Sequence, residues 1–341
     1  MTFVSVEQIR QRLADYEDRR KQLEWKSENT VGRLRRYEVW EHHYFSDPYL
    51  TGASDERLRE RFRDIFVNVT ELNGDGKIGL LPIEQDSIFI QKFTHIQQEF
   101  GGRGGVPVGV IENARKPILR YFENGDPIAV RMFDGYAAPQ SPFVVKYGKR
   151  EFLEEMLKYG RMRISPASFY NQDQFSDAIK DDEVTRNFFI PTYRDRLKGE
   201  FHFDFDGHRL EYGDDDIVMP LVMPDYFLIS LCDHIYYRMP IDFDADAALI
   251  IKNPELFARH VISQFLARWP GWLPMFRPLT YYDPYRDYGK VRVPELSKHF
   301  GYSYQREVRL AFTARDYHRP QLEPEFLTIG PMTEYAELVA A

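Results

Sequence analysis

One cysteine, Cys232, in 341 residues excludes an intramolecular disulfide and fits a reducing compartment. Long hydrophobic runs are missing too. The longest apolar stretches are broken within a few residues by Asp, Arg or Pro, so none reads as a membrane span and no membrane partner is expected. The first dozen residues are charged and lack the apolar segment of a secretory signal, so the expectation is a cytoplasmic protein. Positive charge is in deficit, 45 Lys and Arg against 53 Asp and Glu, for a formal net charge of -8 and a pI near 5.7. That balance argues against binding nucleic acid through general charge and leaves open a local basic groove.

Signature motifs are scarce as well. Gly101-Gly102-Arg103-Gly104-Gly105 lacks the Lys-Ser/Thr of a phosphate loop and the spacing of a dinucleotide fingerprint, and reads as a loop. Asn73-Gly74-Asp75-Gly76-Lys77 places Pro82 where a calcium loop needs a bidentate Glu, and reads as a turn. His42 and His43 are adjacent, diverge on a helix or strand, and have no cysteine or spaced acids nearby to complete a metal site. His202, Asp204, Asp206 and His208 share one parity, but Asp206-Gly207 is a hairpin turn that separates them, so no metal is expected.

What is present is apolar and aromatic: 43% hydrophobic residues, with 22 Tyr and 26 Phe, can build a substantial core. Residues 1 to 140 are expected to be mainly helical, an accessory or partner-binding region. Val4 to Glu24 carries a narrow apolar stripe, Ser54 or Asp55 caps a helix with Leu58, Phe62, Ile65, Phe66, Val69 and Leu72, and another helix runs from about Pro82 to Phe100. A short helix follows around Ile118 to Phe122 and a strand from Ile128 to Phe133. Ala137 to Pro142 reads as a linker, which sets the expected boundary.

Residues 141 to 341 are expected to form an α+β domain with many strands and short helices. Strands are read at Phe143 to Tyr147, Arg161 to Ser165, Tyr226 to Cys232, Asp246 to Ile251 and Leu279 to Tyr282, and helices at Arg150 to Tyr159, Pro254 to Ala267 and Pro294 to His299. An acidic helix is expected to carry Asp177, Asp181, Asp182 and Glu183 on a solvated end. The segment from Phe300 to Phe312 alternates and is read as a strand, so Gln305, Glu307 and Arg309 would project from one face. If solvated, Glu307 and Arg309 are an ordinary exposed pair; if the face lines a cleft, they are neighbouring polar groups aimed at one ligand.

Taken in order, Val145-Lys-Tyr-Gly, Arg161-Met-Arg-Ile-Ser-Pro-Ala-Ser-Phe-Tyr-Asn, Phe227-Leu-Ile-Ser-Leu-Cys and Tyr304-Gln-Arg-Glu-Val-Arg resemble bacterial phage-defence proteins, including abortive-infection proteins of the AbiGi type. The same order is similar to the split mixed or antiparallel sheet of ADP-ribosyltransferases, over about residues 143 to 315. The resemblance implies a toxin or antiviral defence effector that uses NAD as substrate and transfers ADP-ribose to a protein or nucleic-acid acceptor. It implies that Glu307 stabilises the ribose cation, Gln305 orients the acceptor and Ser230 braces Glu307, while Lys146, Tyr147, Arg161 and Arg309 contact the cofactor. Two departures stand against it: Lys146 occupies a His or Arg position, and the usual Ser-Thr-Ser is reduced to Ile229-Ser230-Leu231. Competing readings are a non-catalytic sensor or antitoxin on the same fold, with residues 1 to 140 holding a partner protein or a second copy in an oligomer, and a metal-dependent nuclease using Asp181, Asp182 and Glu183.

Overall fold

The computed structural model describes residues 4–29, 33–81, 87–123, 125–172, 178, 180–205, 207–211, 216–314 and 322–341. Pro82, Asp177 and Asp206, weighed above, lie outside them. Five helices form near the N-terminus, α1 (Val6–Asn29), α2 (Arg36–Ser46), α3 (Asp55–Val69), α4 (Ser87–Gly102) and α5 (Val110–Leu119); apolar periodicity predicts α1, α3 and α4, but not α2 or most of α5. The Ser54 hydroxyl accepts from the Arg57 amide and starts α3, which buries Leu58, Phe62 and Ile65 against Phe89, Ile96 and Phe100. The segment 73–77 is a turn between short strands Thr70–Leu72 and Ile78–Leu80. Glu99 lies at the centre of this layer with no exposed surface, accepting from Arg12 (2.9 Å), Arg103 (2.6 Å), Tyr16 (2.9 Å) and Tyr44 (2.5 Å), so its charge is fully compensated.

Packing runs across residue 140. Tyr285 and Phe300 belong to the core of the helical layer, and Arg61 forks both oxygens of the buried Asp283 at 2.9 and 2.7 Å. The strand expected over Ile128 to Phe133 is instead a helical turn, Ile128–Met132. Its β-branched residues favour a strand, but Ala129 and Met132, three apart, are buried together against Val145, Ala248 and Met239, and that packing decides.

The second half is α+β with antiparallel main-sheet pairing. The strands of the main sheet are β1 (Val144–Gly148), β2 (Arg161–Pro166), β3 (Phe227–Cys232), β4 (Ala247–Ile251), β5 (Leu273–Pro278), β6 (Glu307–Thr313), β7 (Glu325–Thr328) and β8 (Ala336–Ala340). The order is β5-β6-β3-β1-β4-β8, with β2 also against β3 and β7 outside β2. One edge of β3 is therefore shared by two strands. β1 meets it at Val145↔Cys232, β2 at Ser165↔Leu228 and Pro166↔Phe227, and the two part between those points.

One face of the sheet is apolar except at Lys146, which lies opposite Leu249. Ile164, Ile229, Leu231, Leu249, Leu310 and Phe312 pack under helices α6 (Arg150–Tyr159) and α7 (Pro254–Arg268). The opposite face is apolar only at its ends, with Val145, Cys232 and Ile250 on one side and Leu228, Ala311 and Tyr226 on the other. Ser230, Glu307 and Arg309 fall between those two clusters. Among the described residues, no helix is long and apolar enough to cross a membrane.

Gly160 sets the turn from α6 into β2 and thereby the lip of the split. Its φ of +67° is left-handed, and a Cβ there would sit 2.1 Å from the Gly330 carbonyl oxygen. Gly160→Ala is expected to cost about 2 kcal/mol or more, as strain plus displacement of backbone. A urea midpoint unchanged from wild type would contradict this.

Candidate functional site

A cleft of about 500 Å³ opens where β1 and β2 part, lined by Lys146, Arg163, Ser230, Lys298, Gln305 and Glu307 among others. Its size is that of a small-molecule site, which runs from about 300 to 1,000 Å³. Glu307 begins β6 and lies opposite Cys232, while Arg309 lies opposite Ser230. In an antiparallel ladder these four side chains share one face, which brings the β3 hydroxyl onto the β6 carboxylate. The Ser230 hydroxyl donates to Glu307 Oε1 at 2.6 Å, and Arg309 Nε donates to the same oxygen at 2.8 Å. Lys298 Nζ is 3.4 Å from the other oxygen, Oε2.

Glu307 is 4% exposed. Burial by itself would raise its pKa, but Arg309 and Lys298 outweigh it and hold the carboxyl below its ordinary value, hence ionised at neutral pH. Behind it, Arg309 has no exposed surface and grips Glu183 with two nitrogens at 2.8 and 2.9 Å, with further bonds to the Tyr226 hydroxyl and the Glu295 carbonyl. Lys298 reaches Glu183 (3.2 Å) and the Gln305 amide oxygen (3.2 Å) as well. Arg186 adds a third cation to Glu183 at 3.1 Å. Three cations thus face Glu307, Glu183 and Asp181, a balanced network under the cleft.

Several expectations change here. Phe300–Gln305 is a 3-10 helix, not strand, and Arg306 follows with φ +44° before β6 starts. Gln305 and Glu307 therefore do not project from one strand. Gln305 is buried, its amide held by the Ala178 carbonyl at 2.7 Å, and it shares a neighbourhood with Glu307 through Lys298. Asn68 explains the break: it caps the 3-10 turn by accepting from the Tyr304 amide and donating to the Phe300 and Gly301 carbonyls. Arg309 is sealed behind Glu307 with its donors taken, so it cannot meet a cofactor phosphate. Tyr147 lines the cleft with its ring, but its hydroxyl accepts from the Tyr236 amide at 3.3 Å. Arg161 sits at the exposed rim over Phe326, 3.6 Å from Glu155. Lys146 is half-buried in the split and donates to the Ser230 carbonyl at 3.0 Å; burial lowers its pKa.

Glu183 is not on a solvated helix end. No helix is present over the described residues 180–183, and Glu183 is 3% exposed because the Arg309 guanidinium requires a carboxylate there. Sequence reasoning named Glu183 only as a nuclease acid on a solvated helix end, and gave Lys298, Arg163 and Tyr226 no role. The one available signal was Arg309 itself, a cation on a face that would need a second acid if buried.

Asp181 shows a different balance. Burial and the like charge of Glu183 push its carboxyl up to about 6, while Lys298, 3.8 Å away and shared among other acids, compensates it poorly. A carboxyl with a raised folded-state pKa is well accommodated below its ordinary 3.8 and costs stability as pH rises through about 6. Asp181→Asn is accordingly expected to raise the urea midpoint at pH 7.5 and leave it unchanged near pH 3.5. The opposite pH dependence would contradict the raised value.

No family model matches the chain, and the comparisons with curated proteins and with solved structures gave no match either.

Proposed function

We propose that the chain is an NAD-dependent ADP-ribosyltransferase-like effector of antiviral defence, with its cofactor in the cleft between β1 and β2. The observation that carries this is the 2.6 Å bond from Ser230 to an ionised Glu307 at the floor of that cleft. Cleaving the nicotinamide glycosidic bond develops positive charge on the ribose, as in glycoside hydrolysis. A carboxylate fixed in place and kept charged stabilises that cation without reorganising during the reaction. In this reading Glu307 faces the ribose, Ser230 and Lys298 fix its two oxygens, and Gln305 holds Lys298 in place. NAD supplies the electrophilic carbon and the nicotinamide leaving group; Lys146 and Arg161 hold its charged portion at the split and the rim.

A second reading, a non-catalytic sensor or antitoxin on the same fold, draws on Arg309, which neutralises much of the Glu307 charge. The nuclease reading loses its acids: Asp181 and Glu183 face Lys298, Arg186 and Arg309 instead of an open metal position. Label transfer from NAD into cell extract separates the first two. Transfer by wild type that is lost in Glu307→Gln supports the transferase; absence of both transfer and NAD binding would leave the sensor.

A further inference from the structure

Five lysines and arginines line the cleft: Lys146, Lys149, Arg161, Arg163 and Lys298. Three of them have carboxylate partners, Lys149 with Asp244 at 2.9 Å, Arg161 with Glu155 at 3.6 Å and Lys298 with Glu183 at 3.2 Å. Lys146 and Arg163 have none within ion-pair distance among the described residues. Lys146 donates to a backbone carbonyl, and the Arg163 guanidinium lies 4.9 Å over the Phe169 ring. They stand on the two strands that part, β1 and β2, so the split places two uncompensated like charges across one opening. The charge of Arg163 reaches Lys146 and disfavours its protonated form. The one carboxylate that also acts on Lys146, Glu307, is already engaged by Ser230, Arg309 and Lys298.

We propose that Lys146 and Arg163 form an anion site across the split that holds a phosphoryl group. Two cations approaching from opposite walls match an anion of more than one charge whose oxygens point in several directions. Arg163 supplies a planar fork for two of those oxygens and Lys146 a point charge for a third. A carboxylate, planar and singly charged, leaves one of the two cations uncompensated. Ser165 and Tyr170, hydrogen-bonded to each other, line the same cleft. The site shares its cleft and Lys146 with the transferase reading, in which it would hold the NAD diphosphate, but it requires only a phosphoryl ligand and no bond cleavage.

Inorganic pyrophosphate is the probe, titrated by calorimetry into wild type, Lys146→Met and Arg163→Gln at low and moderate salt, with acetate and ADP as further ligands. The expected result is pyrophosphate binding by wild type, weakened about tenfold or more in each variant, with a steep loss on adding salt and little acetate binding. Tighter binding of ADP than of pyrophosphate would identify a nucleotide as the source of the phosphoryl group; equal binding would identify the free anion. Thermal unfolding of each variant reports whether it is folded, and a double variant made in the same way checks that the two losses share one site. No pyrophosphate binding by wild type, equal binding by folded variants, or acetate binding as tight as pyrophosphate would overturn the site. Pyrophosphate binding without any cleavage of NAD would keep it and remove the transferase.

Discussion

On the transferase reading, Glu307→Gln is expected to lower NAD cleavage by about 10²–10³-fold, the range for removing one preorganised charge-stabilising group from a reaction centre. The amide keeps the shape of the side chain and can still accept from Ser230, so what is removed is the negative charge. The loss should fall on kcat more than on the NAD dissociation constant, because the interaction strengthens only as the ribose becomes cationic. The fold should survive, since Arg309 keeps its two bonds to Glu183 and Lys298 keeps Glu183 and Asp181. The pH profile follows from the sign of the shift. Glu307 is held below the ordinary 4.5, so its active, ionised form persists through the neutral range and kcat/KM should fall only as pH drops below that value. Steady-state rates from pH 4 to 8 for wild type and variant check both points.

Arg309→Met is expected to have the largest effect on stability, about 3–5 kcal/mol, because it leaves two buried carboxylates without their main cation. Glu183 and Glu307 are 3% and 4% exposed, and Arg309 is bonded to both at 2.8 Å. Both carboxyls are held below their ordinary value with Arg309 as the strongest compensating charge, so the stability they contribute is present above about pH 4.5 and lost as pH falls through their folded values. The variant should therefore be most destabilised near neutral pH and approach wild type in acid. Urea unfolding at pH 7 and pH 4 measures this; an equal loss at both would mean that packing, and not charge, is what Arg309 provides.

Strands β1 to β4 were legible in the sequence because they carry local signals, whereas β5, β7 and β8 were not read. Val144 to Gly148, Phe227 to Cys232 and Ala247 to Ile251 are short, mostly apolar runs bounded by breakers, and the amphipathic helices α3, α6 and α7 keep their period. The pairing of β3 with both β1 and β2 was expected only through the resemblance to a split sheet, since register between distant strands leaves no local trace. The stretch around Glu307 was read with correct polarity and wrong conformation. Alternation over Tyr302 to Arg306 looked like strand, but Asn68, more than 230 residues away in sequence, captures that backbone into a 3-10 turn. The pairing of Glu183 with Arg309 and the place of Lys298 were invisible for the same reason. A buried ion network is made of pairs separated by as many as 126 residues, and each member alone resembles an exposed charge.

The most direct measurement is nicotinamide release from NAD by the purified wild-type chain, followed by chromatography with and without cell extract. Release that requires Glu307 and is slowed by Ser230→Ala is the predicted result, since the hydroxyl fixes the oxygen nearest Arg309. No release under either condition, together with no heat of NAD binding to Glu307→Gln, would contradict the account and leave the cleft as a binding site of another kind.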